Sequence, residues 1–211
     1  EEWKIEEVEL DDPRGREVVV KTKAAGMCHS DEHVVTGDMP TPHFPIIGGH
    51  EGAGIVEAVG PEVTTVAVGD HVAMSFMPSC GRCPSCVKGQ SYICDEGAKL
   101  FNTGMMGDDR MAHKIGDTAA ARMTQLGTFA DHMLLSEDSV VKVADDIPFP
   151  QAALVSCGVA TGYNSAVSRA DTQPGDTVVV IGAGGVGMNA IQGAAIAGAK
   201  DRPLGRVLAG L

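Results

Sequence analysis

The stretch Thr177-Val-Val-Val-Ile-Gly-Ala-Gly-Gly-Val-Gly187 decides the fold class of this 211-residue chain. Its first five residues, Thr177 to Ile181, form a run that predicts a strand buried on both faces. The G-x-G-x-x-G spacing of Gly182, Gly184 and Gly187 follows at once. Here the first glycine permits a tight turn, the second lets backbone approach a pyrophosphate, and the third packs helix on strand. From Gly185 onward Val186, Ala190, Ile191, Ala194 and Ala195 form a helical stripe ending near Gly198. Strand, glycine turn and helix in that order mark the start of a dinucleotide-binding α/β unit, with the anion at the helix N-terminus. Gly182, Gly184, Gly185, Val186 and Gly187 are its candidate cofactor contacts.

Upstream the period changes to two. Residues 3–10 and 17–24 alternate; in the second run Val18, Val20, Thr22 and Ala24 share one face, with Glu17, Lys21 and Lys23 on the other. That is the pattern of a half-buried strand. Residues 52–59, 71–75, 129–135 and 139–143 read as further short strands. Residues 97–128 are polar, rich in Gly and Met and without a clean period, and read as a loop or insertion. After Pro148 and Pro150, residues 151–169 suit a helix interrupted by Gly158 and Gly162. The expected division is therefore 1–149, an irregular β-barrel carrying functional loops, and 150–211, the beginning of the α/β unit.

Net charge is −12, with basic residues scattered, so the basic stripe of a nucleic-acid surface is missing. No window approaches the roughly 20 apolar residues of a membrane helix, and the start does not read as a signal peptide. The chain opens Glu1-Glu2-Trp3 without Met, which suggests that its true beginning lies further upstream. Six cysteines without an export signal point to a reducing, cytoplasmic setting, where metal ligation or catalysis outranks disulfides.

Four of those cysteines, Cys80, Cys83, Cys86 and Cys94, lie as C-x2-C-x2-C-x7-C in one stretch rich in Gly and Pro. Tight turns at Gly81 and Pro84 can aim several sulfurs at one point, as a tetrahedral structural zinc requires. An iron–sulfur cluster shares the opening spacing and is the rival reading; unrelated thiols or a disulfide pair are the bland one. Cys28 opens Cys28-His-Ser-Asp-Glu-His33, His50 lies in Gly48-Gly-His-Glu-Gly52, and Cys157 in Val155-Ser-Cys-Gly158. Each alone reads as a core thiol or a structural histidine. Together, two Cys and one His would fit a catalytic zinc with an open fourth position.

At these motifs the sequence resembles the zinc-dependent alcohol dehydrogenases of the medium-chain dehydrogenase/reductase superfamily. Gly26-Met-Cys-His-Ser-Asp, Gly49-His-Glu-Gly-Ala-Gly, the four-Cys segment, Cys157-Gly-Val-Ala-Thr-Gly162 and the glycine turn occur in the family's order. Within the family it is similar to the bacterial subgroup related to class III and nitrosoaniline-dependent enzymes. The resemblance implies a GroES-like barrel followed by a Rossmann domain, a homo-oligomer in full-length relatives, NAD, and two zinc ions. It assigns Cys28, His50 and Cys157 to the catalytic zinc, and Cys80, Cys83, Cys86 and Cys94 to the structural one. Glu51 matches an acid that approaches the catalytic metal, and Asp31 the carboxylate that orients the ligating imidazole. The implied reaction oxidises a primary alcohol or an aldehyde–thiol adduct by hydride transfer to NAD, with zinc lowering the pKa of the alcohol. The proton would leave through Ser30 to His33, and His29 matches a contact to the cofactor's pyrophosphate.

The end of the sequence departs from the family. Only 24 residues follow Gly187, fewer than one βαβ unit of about 30. Asp201 comes straight after the helix, too early to end a second strand and bind the ribose, and Pro203 and Gly205 oppose a central strand. A truncated or frame-shifted dehydrogenase is the simplest account, and a non-catalytic zinc-binding fragment is its functional alternative.

Overall fold

The period-two pattern around Val18 and Val20 becomes the central strand of the largest sheet in a computed structural model that describes residues 2–41, 43–103 and 110–200. This strand, β2 (Glu17–Gly26), pairs antiparallel with β4 (Glu51–Val59) on one side and β9 (His132–Ser136) on the other. Beyond β4 lie β5 (His71–Met74) and β10 (Val140–Lys142), so the sheet order is β10-β5-β4-β2-β9. Val18, Val20, Val56, Val72, Met133 and Leu135 are fully buried from these strands and form one core with Met74 and Leu126. Burying each such side chain contributes about 1.5–3 kcal/mol. The β2–β4 register slips between Val19 and Val20 and again between Thr22 and Ala24. Gly54 lies opposite Thr22, and a Cβ there would overlap the Lys21 carbonyl, so only glycine fits where the strands close up.

Two smaller sheets complete this part of the chain. In one, β1 (Glu9–Leu10) and β7 (Thr118–Ala119) flank β6 (His113–Ile115); in the other, β3 (Ile46–Ile47) pairs parallel with β8 (Ala121–Arg122). Strand character at residues 3–10 is thus confined to Glu9 and Leu10. The segment 97–128 is not simply a loop: it carries the end of α3 (Asp95–Thr103), β6, β7, β8 and a 3-10 turn over Met123–Gln125. Strands of two or three residues are too short to display a period, and distant partners hold them. Glu17, expected on the solvent face, is only 8% exposed because Arg110 bridges it (2.6 Å) to Asp11 (2.8 Å).

The chain divides into two compact units between Ser156 and Cys157. Helix α4 (Phe149–Leu154) stays with the first, where Ala152 and Ala153 pack with Ala53, Ala24 and Val143. Gly158 and Gly162 do not break the helical path: π turns over Val155–Val159 and Ser165–Arg169 flank α5 (Ala160–Asn164). In the second unit α5 and α6 (Gly185–Ile196) cross closely, since a Cβ on Gly162 would overlap the Val186 carbonyl. Ala166, Ala190 and Ala194 form its small core. The strand expected at 177–181 is not formed. Among the described residues the second unit holds no strand to pair with it, and Val179 and Ile181 are 80% and 88% exposed. Backbone N–H and C=O groups without a neighbouring strand have no ladder to join. Asp201, Pro203 and Gly205 lie outside the described residues.

Candidate metal centres

Helix α1 (His29–Thr36) starts where the Gly26-Met-Cys turn leaves β2, with Cys28 as its N-cap. Asp31, three residues in, turns its carboxylate back: Oδ2 accepts the Cys28 N–H at 2.8 Å. Its Oδ1 lies 3.2 Å from His50 Nδ1, and both side chains are buried. One acid therefore caps the helix and fixes the imidazole. With Nδ1 engaged by a carboxylate, Nε2 is the ring nitrogen that can serve as a metal ligand. Phe76 packs edge-on against the His50 ring at 5.7 Å.

His50 arrives through Gly48 and Gly49, the latter at φ +90°, in the left-handed region. Glu51 begins β4 opposite Gly26 of β2, and a Cβ on Gly26 would overlap the Glu51 carboxylate. The missing side chain gives that buried acid its space. Ligand atoms of Cys28, His50 and Glu51 lie within 4.8 Å of one another. Burial raises the Cys28 thiol pKa, but hydrogen bonds from the Ser30 backbone and hydroxyl, with His50 beside it, bring it below the ordinary value. That is the state a metal ligand needs, since the thiolate binds.

Cys157 sits in the π turn Val155–Val159, its sulfur 3.8 Å from the Thr161 hydroxyl. It is the first residue of the second unit and follows directly on Ser156. The Ser156 hydroxyl donates to the Gly52 carbonyl at 3.1 Å and accepts the Gly52 N–H at 3.3 Å, two residues past His50. Ser30 Oγ is 3.7 Å from the Cys28 sulfur. His33 is differently engaged: its Nδ1 lies 3.4 Å from Asp38, and its ring meets His29 edge-on at 4.7 Å. No hydrogen bond joins Ser30 to His33 among the described residues.

The second centre is local. Gly81 at φ +70° and Pro84 at the start of α2 (Pro84–Val87) turn the chain so that the sulfurs of Cys80, Cys83, Cys86 and Cys94 lie within 4.8 Å. No disulfide joins them. Backbone N–H groups point at the sulfurs: Cys83 to Cys80 Sγ at 3.4 Å, Cys86 to Cys83 Sγ at 3.5 Å, and Cys80 and Gly97 to Cys94 Sγ at 3.3 Å each. Burial works against ionising Cys94, yet these N–H groups bring it down to about 7. Burial and the adjoining Cys83 push Cys86 up to about 12. Four thiols so close cannot all ionise until a cation offsets their mutual repulsion. The donor set suits a divalent, thiophilic ion.

In the second unit Gly182 takes φ +94°, and a Cβ on Gly187 would overlap the Gly182 carbonyl. Among the described residues, nothing lies within 4 Å of a Cβ placed on Gly184 or Gly185, and no side chain caps α6. Three contributors to the first centre escaped the sequence reading: Phe76, Gly26 as the space for Glu51, and Thr128, whose hydroxyl donates to the Glu51 carbonyl at 2.9 Å. A local signal existed only for Gly26, two residues before Cys28.

A family model described as the alcohol dehydrogenase GroES-like domain matches residues 14–145. Alcohol dehydrogenase B of Mycobacterium tuberculosis is 52% identical over 198 residues, 94% of this chain and 53% of that protein. An NDMA-dependent alcohol dehydrogenase of Amycolatopsis methanolica is 51% identical over 199 residues, with the same coverage. Among solved structures, an alcohol dehydrogenase zinc-binding domain protein from Burkholderia ambifaria matches with TM-score 0.84 and 36% identity, over 93% of this chain and 53% of that one. Benzyl alcohol dehydrogenase from Acinetobacter calcoaceticus matches with TM-score 0.80 and 35% identity, over 91% and 51%. The chain thus spans about half the length of these relatives. No helix among the described residues is long and apolar enough to cross a membrane. With the GroES-like match over residues 14–145, most of the chain, and the four-Cys centre inside that match, the chain belongs to the zinc-type medium-chain alcohol dehydrogenase family.

Proposed function

We propose that this chain is the zinc-binding catalytic module of a cytoplasmic alcohol dehydrogenase, oxidising a primary alcohol or an aldehyde–thiol adduct by hydride transfer to NAD. The observation that carries the proposal is the buried Asp31 carboxylate shared between the Cys28 N–H and His50 Nδ1. A carboxylate–histidine pair beside a thiol of lowered pKa is how metal ligands are oriented in catalytic zinc sites. Cys28, His50 and Cys157 would hold the catalytic zinc, and Cys80, Cys83, Cys86 and Cys94 the structural one. The tether of Ser156 to Gly52 supports the inclusion of Cys157.

Bound zinc supplies Lewis acidity that lowers the pKa of an alcohol hydroxyl. The chain's own residues orient the ligands and move the proton. Asp31 keeps His50 in the tautomer protonated at Nδ1. Ser30, against Cys28, is the first proton acceptor, and His33 passes the proton to solvent after its link to Asp38 rearranges. Glu51 supplies a second acid beside the ligands during ligand exchange. Gly182, Gly184, Gly185, Val186 and Gly187 would bind the pyrophosphate with His29; the left-handed turn at Gly182 and the close approach of Gly187 to the Gly182 carbonyl support that part.

The test is metal analysis with NAD titration on the same chain. Two zinc ions per chain, falling to one in Cys157→Ala, support the site, and alcohol-dependent NADH formation supports the activity. One zinc in both proteins refutes the catalytic centre. Two zinc ions without NAD binding make the chain a zinc-binding module only.

A further inference from the structure

Gly127 and Thr128 close the segment 97–128 that reads as a loop, and Phe129 opens the expected strand 129–135; all three lie against the turn that delivers His50. The N–H groups of Gly127 and Thr128 both reach the Gly49 carbonyl at 3.1 Å, and the Phe129 N–H reaches the Gly48 carbonyl at 3.0 Å. The Thr128 hydroxyl donates to the Glu51 carbonyl at 2.9 Å, and Thr128 is 1% exposed. Three consecutive residues therefore hold three of the four residues 48–51 by hydrogen bonds, with His50 in the middle.

Packing seals the arrangement. A Cβ on Gly49 would stand 2.5 Å from Thr128 Oγ1 and 2.6 Å from Phe129 Cδ1. One on Gly48 would stand 2.5 Å from the Trp3 ring and 3.0 Å from Phe129, and one on Gly52 2.6 Å from Thr128 Cγ2. Trp3 and Phe129 meet edge-on at 6.0 Å. The glycines around His50 are thus the counter-surface for a specific clamp, and not merely a flexible turn.

We infer that Thr128 is a positioning residue for the first metal centre: its hydroxyl fixes the His50–Glu51 backbone so that the imidazole stays where Asp31 and Cys28 meet it. The inference rests on the zinc reading above for its consequence, but the clamp itself does not. An imidazole reaches a metal only within a few tenths of an ångström of its bonding distance, so a loop that wanders weakens the site without losing a ligand. Val at 128 keeps the shape and removes the hydroxyl, leaving the Glu51 carbonyl without that donor. Ser keeps the hydroxyl.

Two measurements on the full chain test this. In metal-free protein, Thr128→Val speeds hydrogen exchange of the Gly127, Thr128 and Phe129 amides about tenfold, as the loss of one buried hydrogen bond would. In a cobalt(II) titration followed by thiolate-to-metal absorption, and referenced to Cys28→Ala, which reports the four-Cys lobe alone, Thr128→Val weakens the first centre about tenfold. Thr128→Ser restores cobalt affinity to within about twofold of the parent, the scatter expected when the supporting hydrogen bond is kept. Thr128→Val with parent-like exchange and affinity overturns the inference, as does faster exchange with unchanged affinity. Equal losses in Val and Ser assign the effect to packing and overturn the role of the hydroxyl. Should the parent and Cys28→Ala take up the same cobalt, the zinc reading fails and the positioning role with it, while the exchange data still decide whether the clamp exists.

Discussion

Acid should loosen the first unit through one histidine. His113, in β6, is fully buried; its Nε2 accepts the Leu134 N–H at 3.3 Å, and its Nδ1 has no hydrogen-bond partner among the described residues. Arg122, buried and donating to the Leu134 carbonyl at 2.8 Å, and Arg110 both act on it electrostatically. Burial first, then these two guanidinium groups, hold the His113 pKa down to about 2 from an ordinary 6.5. A depressed pKa means that the unfolded chain takes up the proton more readily. Stability is therefore complete above pH 6.5 and is lost as pH falls from there toward 2. At about 1.36 kcal/mol per pH unit, lowering pH from about 7.5 to 5 costs about 2 kcal/mol. Urea unfolding followed by circular dichroism at each pH, on the parent and on His113→Gln, isolates the effect. Metal ligands that titrate in the same range contribute equally to both proteins and cancel. The variant should lose about 2 kcal/mol less than the parent over that interval. A difference below about 0.5 kcal/mol, well outside what a buried neutral imidazole allows, would refute the reasoning.

Asp31→Asn keeps the size of the side chain but removes the charge that caps α1 and holds His50; zinc affinity of the first centre should fall about 10- to 100-fold, read by chelator competition. Thermal unfolding of the metal-free variant should show a loss of about 1 kcal/mol from the weakened cap. Gly54→Ala drives a methyl into the Lys21 carbonyl, and a loss of about 1–3 kcal/mol is expected in denaturant titration. Parent-like stability there would contradict the close β2–β4 approach. Gly162→Ala should loosen α5 against α6, raising proteolytic cleavage beyond residue 157 while leaving the zinc of the four-Cys lobe in place.

Features carried by neighbouring residues were legible in the sequence. The alternation at 17–24 predicted β2, because a strand with one buried face repeats its own burial every second residue. The dense spacing of Cys80, Cys83, Cys86 and Cys94 marked a metal lobe, because two-residue gaps on tight turns bring sulfurs together without help from the rest of the fold. The helix after Gly184 was legible for the same local reason. The resemblance, and not spacing, tied Cys28, His50 and Cys157 together.

What remained was decided by distant partners. The run 177–181 has the composition of a buried strand, yet a strand exists only through the hydrogen bonds of a neighbour, and the described part of the second unit offers none. Glu17 follows the period of its strand but is buried, because Arg110, 93 residues away, neutralises it. The short strands between 113 and 122 owe their form to Leu10 and Ile46, far upstream. Thr128 acquires its place beside Glu51 across 77 residues. Side-chain periods and turn residues are properties of the local chain, whereas register, charge pairing and the clamp on His50 are set by segments that meet only when the core closes.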